Sequence, residues 1–148
     1  MLNAPEPKKY PYGYFIDMRY WPEKEIPASD DAIILHIGFL RNDSGYLVEL
    51  AQIYKDPEGN YWKIEPGQYS NGASIPRFFW RILTPFSYKI RNAATFHDVY
   101  CVVQKRSQRE THRMFWWIQR LDKTSAFVAW ITWFCVRAFC KIRYCYWK

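Results

Sequence analysis

Two histidines and a carboxylate are the residues of this sequence that could do chemistry together. His97 and Asp98 are adjacent, Tyr100 and Cys101 follow within a turn, and His112 comes after a short break. Imidazole nitrogens and a carboxylate suit zinc or another divalent metal, with water in an open position. They suit metal-free acid–base work as well. Adjacent helical residues point about 100° apart, so His97 and Asp98 cannot both aim straight at one ion. Asp98 could instead orient an imidazole from behind. The plain structural alternative is a buried His97–Asp98 pair with His112 on a basic helix surface. HExxH, GxGxxG and Walker A patterns are absent.

For these side chains to meet, two helices must bring them together. Ser87 is a candidate N-cap, and the spacing then predicts a helix over 88–104 with Ile90, Ala93, Ala94, His97 and Cys101 on one face. Ser107-Gln108-Arg109-Glu110 reads as a capping box opening a second helix over 108–120. His112, Phe115, Trp116 and Gln119 share one face of it, beside a seam of Thr111, Met114 and Ile118. The link is only a few residues long, so the helices are antiparallel neighbours. His97 lies about two turns before the link and His112 about one turn after it. A third helix is expected over 125–140, capped by Asp122 or Thr124, with Phe127, Trp130, Ile131, Phe134 and Ala138 facing the core. The tail 141–148 reads as a short strand or a packed extension.

Upstream the pattern changes to period two. Tyr14 to Trp21 reads as a strand, and Ile33 to Leu40, apolar on both faces, as a central one that carries His36 as a core residue. Asn42-Asp43-Ser44-Gly45 and Asp56-Pro57-Glu58-Gly59 are turns, which makes 33–65 an antiparallel meander with further strands over 46–54 and 60–65. The stretch Ser70-Asn71-Gly72-Ala73-Ser74-Ile75-Pro76-Arg77 then marks the change from strands to helices. The expected fold is α+β: a small antiparallel sheet in the N-terminal half packed against three C-terminal helices. The expected organisation is one domain over 1–148, with a loose arm at 1–11, the meander at 12–69, a hinge motif at 70–77 and a helical part at 78–148.

Charge divides at the same place. Residues 1–70 hold seven Lys/Arg and eleven Asp/Glu, a balance of 7 − 11 = −4. Residues 71–148 hold fourteen and three, 14 − 3 = +11. Such asymmetry suits an acidic protein, an anionic surface or ligand such as a nucleotide, or a nucleic acid contacted through the basic half; a solvated helical face explains it too. Asn71, Ser74, Arg77, Tyr100 and Arg109 are the candidate binding contacts. Aromatic residues make up 20% of the chain, enough to fill a core or to provide stacking surfaces. Cys101, Cys135, Cys140 and Cys145 form no CxxC pair, so a zinc ribbon gains no support; they read as reduced, buried and cytosolic. Residues 1–9 are polar and Pro-rich, unlike a signal peptide. The apolar stretch Ser125 to Val136 is about twelve residues, against roughly twenty for a span, which suggests a core helix or, second, an interfacial one.

The same residues carry a likeness. Pro66-Gly67, Gly72-Ala73-Ser74-Ile75-Pro76-Arg77, Trp80, Ala93-Ala94 with His97-Asp98 and Tyr100, Arg109-Glu110 with Phe115, and Val136-Arg137 occur in the order seen in the phage and prophage family called domain of unknown function 1353. The sequence resembles that family over roughly 60–140. Two positions depart from its pattern: Asn71 and His112 stand where the family has aspartates. Asn71 cannot be a general base, whereas His112 could still bind a metal. The resemblance implies a tailed-phage or prophage origin, hence a place in the host cytoplasm during infection or in the virion. It implies no established activity. The function expected is that of an accessory protein that binds a virion or tail component, a host protein or an anionic ligand. The alternatives are a small metal-dependent hydrolase using His97, Asp98 and His112, with His97 and Asp98 as its catalytic pair and zinc or a similar ion as cofactor, and a membrane-peripheral protein.

Overall fold

The computed structural model describes residues 9–28, 37–39, 46–48, 50–70 and 88–143. His36, the 42–45 turn, the hinge residues 71–77, Ser87 and the tail beyond 143 lie outside them. The chain divides into two compact units, Met1–Gln68 and Tyr69–Lys148. The architecture is α+β, an antiparallel sheet followed by three helices.

The N-terminal unit is built on strands β1 (Tyr14–Phe15), β2 (Ile37–Phe39), β3 (Tyr46–Val48), β4 (Gln52–Lys55) and β5 (Tyr61–Ile64). β4 is the middle of a three-stranded sheet, with β1 and β5 antiparallel on either side. Register explains its central place. Phe15, Tyr54 and Trp62 lie across from one another on one face, joined by Gln52 and Ile64, and all five are buried. Tyr14, Ile16 and Ile53 form a second cluster on the other face, covered by Tyr10, Met18 and Trp21. β5 alternates outward and inward because only one of its faces is covered. The 56–59 turn closes around a buried carboxylate. Asp56 accepts from the Glu58 and Asn60 amides and from Trp62 Nε1, each at 2.9 Å.

Three sequence expectations change here. The strand foreseen over 14–21 stops after Phe15, apart from a bridge between Ile16 and Pro27. Asp17 ends it by accepting from the Arg19 amide at 3.1 Å and the Arg19 guanidinium at 2.6 Å, a local alternative to a sheet ladder. The strand foreseen over 46–54 is two strands, with β3 paired to β2, Leu50 exposed between them, and β4 serving the other sheet. Among the described residues β4 is the middle strand of its sheet, Ile37–Phe39 pairs with β3 in the other sheet, and 33–65 is not one meander.

In the second unit a short strand β6 (Tyr69–Ser70) lies beside helix α1 (Tyr88–Val103), followed by α2 (Gln108–Leu121) and α3 (Ala126–Arg143). From Asn92 to Cys101 every α1 residue is buried except Asp98, which is half-buried. Gln104, at φ 50°, stops the helix. The capping box is present: the Glu110 amide donates to Ser107 Oγ at 3.2 Å, and the Ser107 amide donates to the Glu110 carboxylate at 3.0 Å. Asn92 Nδ2 donates to Asp122 at 3.1 Å, tying α1 to the end of α2.

The third helix differs from expectation at both ends and in its phase. Its cap is Ser125, whose Oγ accepts from the Val128 amide at 3.3 Å, rather than Asp122 or Thr124. It continues through Arg143, three residues into the stretch expected to be a tail. Its buried face is Ala129, Thr132, Val136 and Cys140. Phe127, Trp130, Phe134 and Ala138, expected in the core, are exposed, Phe127 at 73% and Phe134 at 64%. The small residues let α3 approach α2 closely, where Thr132 Oγ1 donates to Gln119 Oε1 at 2.5 Å between two fully buried side chains.

Candidate functional site

Four side chains from three helices converge inside the second unit. His97 and Cys101 are one turn apart on α1 and therefore share a face. His112 comes from the early part of α2 and Cys140 from the end of α3. Antiparallel links between successive helices bring these positions to one end of the unit. His97 Nε2 stands 3.0 Å from His112 Nδ1, with the rings stacked at 22°. Cys101 Sγ lies 3.4 Å from His97 Nδ1 and 3.7 Å from Nε2. The two sulfurs are 3.7 Å apart, and Cys140 Sγ is 3.9 Å from His97 Nε2. All four residues are at most 4% exposed, and Phe115 lies edge-on to His97.

Burial and the contacts among these groups together set the protonation of this cluster. His112 is held neutral, its pKa pushed down to about 3 by burial, by His97 and by the Arg137 and Lys141 cations. The short imidazole contact needs one proton, held between His97 Nε2 and His112 Nδ1. Burial would also depress His97, but the Asp98 carboxylate and the Cys140 sulfur outweigh it and raise its proton affinity. Cys140 is drawn down by the hydrogen bond from Cys101, against burial and with help from His97. Cys101 is correspondingly pushed up by Cys140 and by burial.

The sequence-derived candidates are distributed unevenly. His97 and His112 do meet, and His112 is buried rather than on the surface. Asp98 Oδ1 is 3.9 Å from His97 Nδ1, beyond hydrogen-bonding distance, so it acts on that ring through its charge. Tyr100 is buried and Arg109 exposed, so they do not line one accessible surface. Asn71, Ser74 and Arg77 lie outside the described residues. The residues sequence reasoning missed are Cys101 and Cys140 as partners of the histidines. Cys101 carried a signal, four residues after His97; Cys140 carried none in its spacing. His97, Cys101 and Cys140 bring their ligand atoms within 4.8 Å of one another, the one such His/Cys/Asp/Glu group among the described residues.

The structure thus defines an α+β protein whose helical unit encloses a histidine–cysteine cluster. Residues 46–136, more than half the chain, match the family described as Protein of unknown function (DUF1353), and the chain belongs to that family. It is 34% identical over 87 residues to the uncharacterized protein y4jT of Sinorhizobium fredii (strain NBRC 101917 / NGR234). That alignment covers 57% of this chain and 26% of the relative, so the chain spans about a quarter of that protein's length. No solved structure matches the chain.

Proposed function

We propose that this protein works by binding, and that the outward face of α3 is its docking surface for a protein partner, a virion or tail component of a phage or a factor of its host. The observation that carries this reading is the stripe of Phe127, Trp130, Phe134, Ala138 and Ile142. These residues recur at three- and four-residue spacing, all exposed, Ile142 at 83%. A helix apolar on its buried face and apolar again on its outer face is expected to be covered on both. Guanidinium groups sit over neighbouring rings: Arg137 over Trp133 at 5.0 Å, Arg113 over Trp117 at 5.6 Å and Arg120 over Trp116 at 6.0 Å. Tryptophan and arginine are the residue types that dominate interface energetics. The basic balance of residues 71–148 favours a partner with an acidic rim.

The burial of His97 and His112 weighs against a hydrolase, because a substrate must reach its catalytic groups. A membrane-peripheral reading draws on the same stripe, with Lys141 and Arg143 exposed at its end. In the described residues no helix is long and apolar enough to cross a membrane.

A photo-crosslinking side chain at Trp130 or Phe134, with a control at exposed Glu58, tests the proposal in extracts of infected host cells. One discrete protein adduct at the α3 positions, absent at Glu58 and weakened by added salt, is expected. Absence of adducts at both α3 positions would overturn it. Flotation with anionic vesicles in place of a protein adduct would move the assignment to the membrane.

A further inference from the structure

We propose that His97, Cys101 and Cys140 form a zinc site, and that the ion clamps α1 to α3 at one end of the second unit. The argument rests on spacing. Zinc–thiolate bonds of about 2.3 Å and zinc–imidazole bonds of about 2.0–2.1 Å, at tetrahedral angles, set ligand atoms roughly 3.4–3.8 Å apart. The triangle of His97 Nε2, Cys101 Sγ and Cys140 Sγ has edges of 3.7, 3.9 and 3.7 Å. The Cys101 sulfur stands 3.4 Å from Nδ1 and 3.7 Å from Nε2, to the side of the Nε2 lone pair, so the His97 ring must turn for one ion to reach all three. His112 Nδ1 stands 3.0 Å from His97 Nε2, slightly closer than two ligand nitrogens stand around one zinc. It falls outside the group of three whose ligand atoms all lie within 4.8 Å of one another, so His112 is a neighbour of the site rather than a ligand.

The donor chemistry agrees with the geometry. Two thiolates and one imidazole are donors that zinc takes, and complete burial leaves no room for an exchanging substrate. Ligation through Nε2 of His97 leaves its Nδ1 protonated and turned toward the Asp98 carboxylate, 3.9 Å away. A small shift would make the hydrogen bond that commonly orients a metal-bound imidazole. Asp98 then acts as a positioning residue, not as a ligand. Cys140 lies beyond the 46–136 stretch that matches the family, so the full set belongs to this chain and does not follow from membership.

The test uses the full chain without an affinity tag, expressed with zinc and purified under reducing conditions without chelator. Elemental analysis is expected to find one zinc per chain. Replacement by cobalt should give the visible bands of a tetrahedral ion and a near-ultraviolet thiolate-to-cobalt band. Cys140→Ser and Cys101→Ser should each halve that thiolate band. Each should weaken zinc binding by more than the roughly 10–100-fold typical of losing an outer hydrogen-bond partner. Asp98→Asn should keep the ion and the band and weaken binding within that range. Folded wild-type protein, judged by circular dichroism, that carries no transition metal and gains no thermal stability from zinc or cobalt would overturn the proposal. So would a cobalt spectrum unchanged by Cys140→Ser; for any variant that fails to fold, the wild-type spectrum still decides.

Discussion

Replacing Glu25 with alanine should destabilise the N-terminal unit by about 3–4 kcal/mol while leaving the helical unit unchanged. Glu25 is 4% exposed and serves three donors. The Tyr14 hydroxyl donates to it, the Tyr61 hydroxyl donates at 2.9 Å, and Lys55 Nζ lies at 2.9 Å. Alanine strands the buried Tyr14 hydroxyl, which costs about 1–3 kcal/mol. It also leaves Lys55 without its counter-charge. Breaking a buried pair costs about 3–5 kcal/mol, but the Lys55 side chain is 17% exposed, so water reaches it and the low end applies or less. Tyr61 is exposed enough to find water and adds little. Glu25→Gln keeps an acceptor and should lose about half as much. Hydrogen exchange read on peptides from residues 9–28 and 50–65 measures the loss locally, with peptides from 88–143 as the internal control. A loss below about 1 kcal/mol for Glu25→Ala would refute the reasoning, as would equal acceleration of exchange in the helical peptides.

Three further outcomes are expected. Gly13 has φ +77°, and a Cβ there would meet the Lys55 carbonyl oxygen at 2.2 Å; Gly13→Ala should lower stability by on the order of 2–4 kcal/mol in urea denaturation, combining backbone strain with a backbone clash. Ser107→Ala removes the cap of α2 and should cost about 0.5–2 kcal/mol by the same measurement, and Ser107→Asp should restore most of it. The N-terminal unit should be most stable between two limits of pH. Burial would raise the Glu25 carboxyl above the ordinary 4.5, but the Tyr14, Lys55 and Tyr61 hydrogen bonds outweigh it and hold it below that value. Its contribution is therefore present above 4.5 and lost as pH falls through the lowered folded value. Tyr14 is raised above the ordinary 10.0 by burial and by Glu25, so its contribution is present below 10 and lost as pH rises beyond it. Tyrosinate absorbance of Tyr14 appearing before unfolding would contradict the second half.

The helices were legible because their ends are written locally. Ser107 and Glu110 mark the start of α2 within four residues, and the short link fixes its direction against α1. That is also why the meeting of His97 and His112 could be foreseen by counting turns. The phase of α3 could not be foreseen, because Phe127, Trp130 and Phe134 are as apolar as the residues that are buried. Hydropathy does not distinguish the faces; size does, since Ala129, Thr132, Val136 and Cys140 allow the closer approach. The strand at 14–21 failed for a different reason: period-two spacing continues through Asp17 and Arg19, while their side-chain pairing takes the backbone into a turn. Cys140 was invisible as a partner of His97 because it comes from a different helix, and no spacing motif spans that interval.

The Thr132–Gln119 hydrogen bond acts as a rotational key for α3. Rolling the helix to bury Phe134 or Trp130 would gain apolar contact, yet it would pull Thr132 away and leave the Gln119 oxygen without its donor in a fully buried position. That penalty is about 1–3 kcal/mol, comparable to burying one large apolar side chain. The hydroxyl therefore opposes the alternative packing that the hydrophobic effect alone would favour. With the key removed, as in Thr132→Val, the unit should sample more than one orientation of α3 while remaining helical. Trp130 and Phe134 would then be withdrawn from the surface for part of the time, and affinity at that face would fall although no residue of the stripe had been altered.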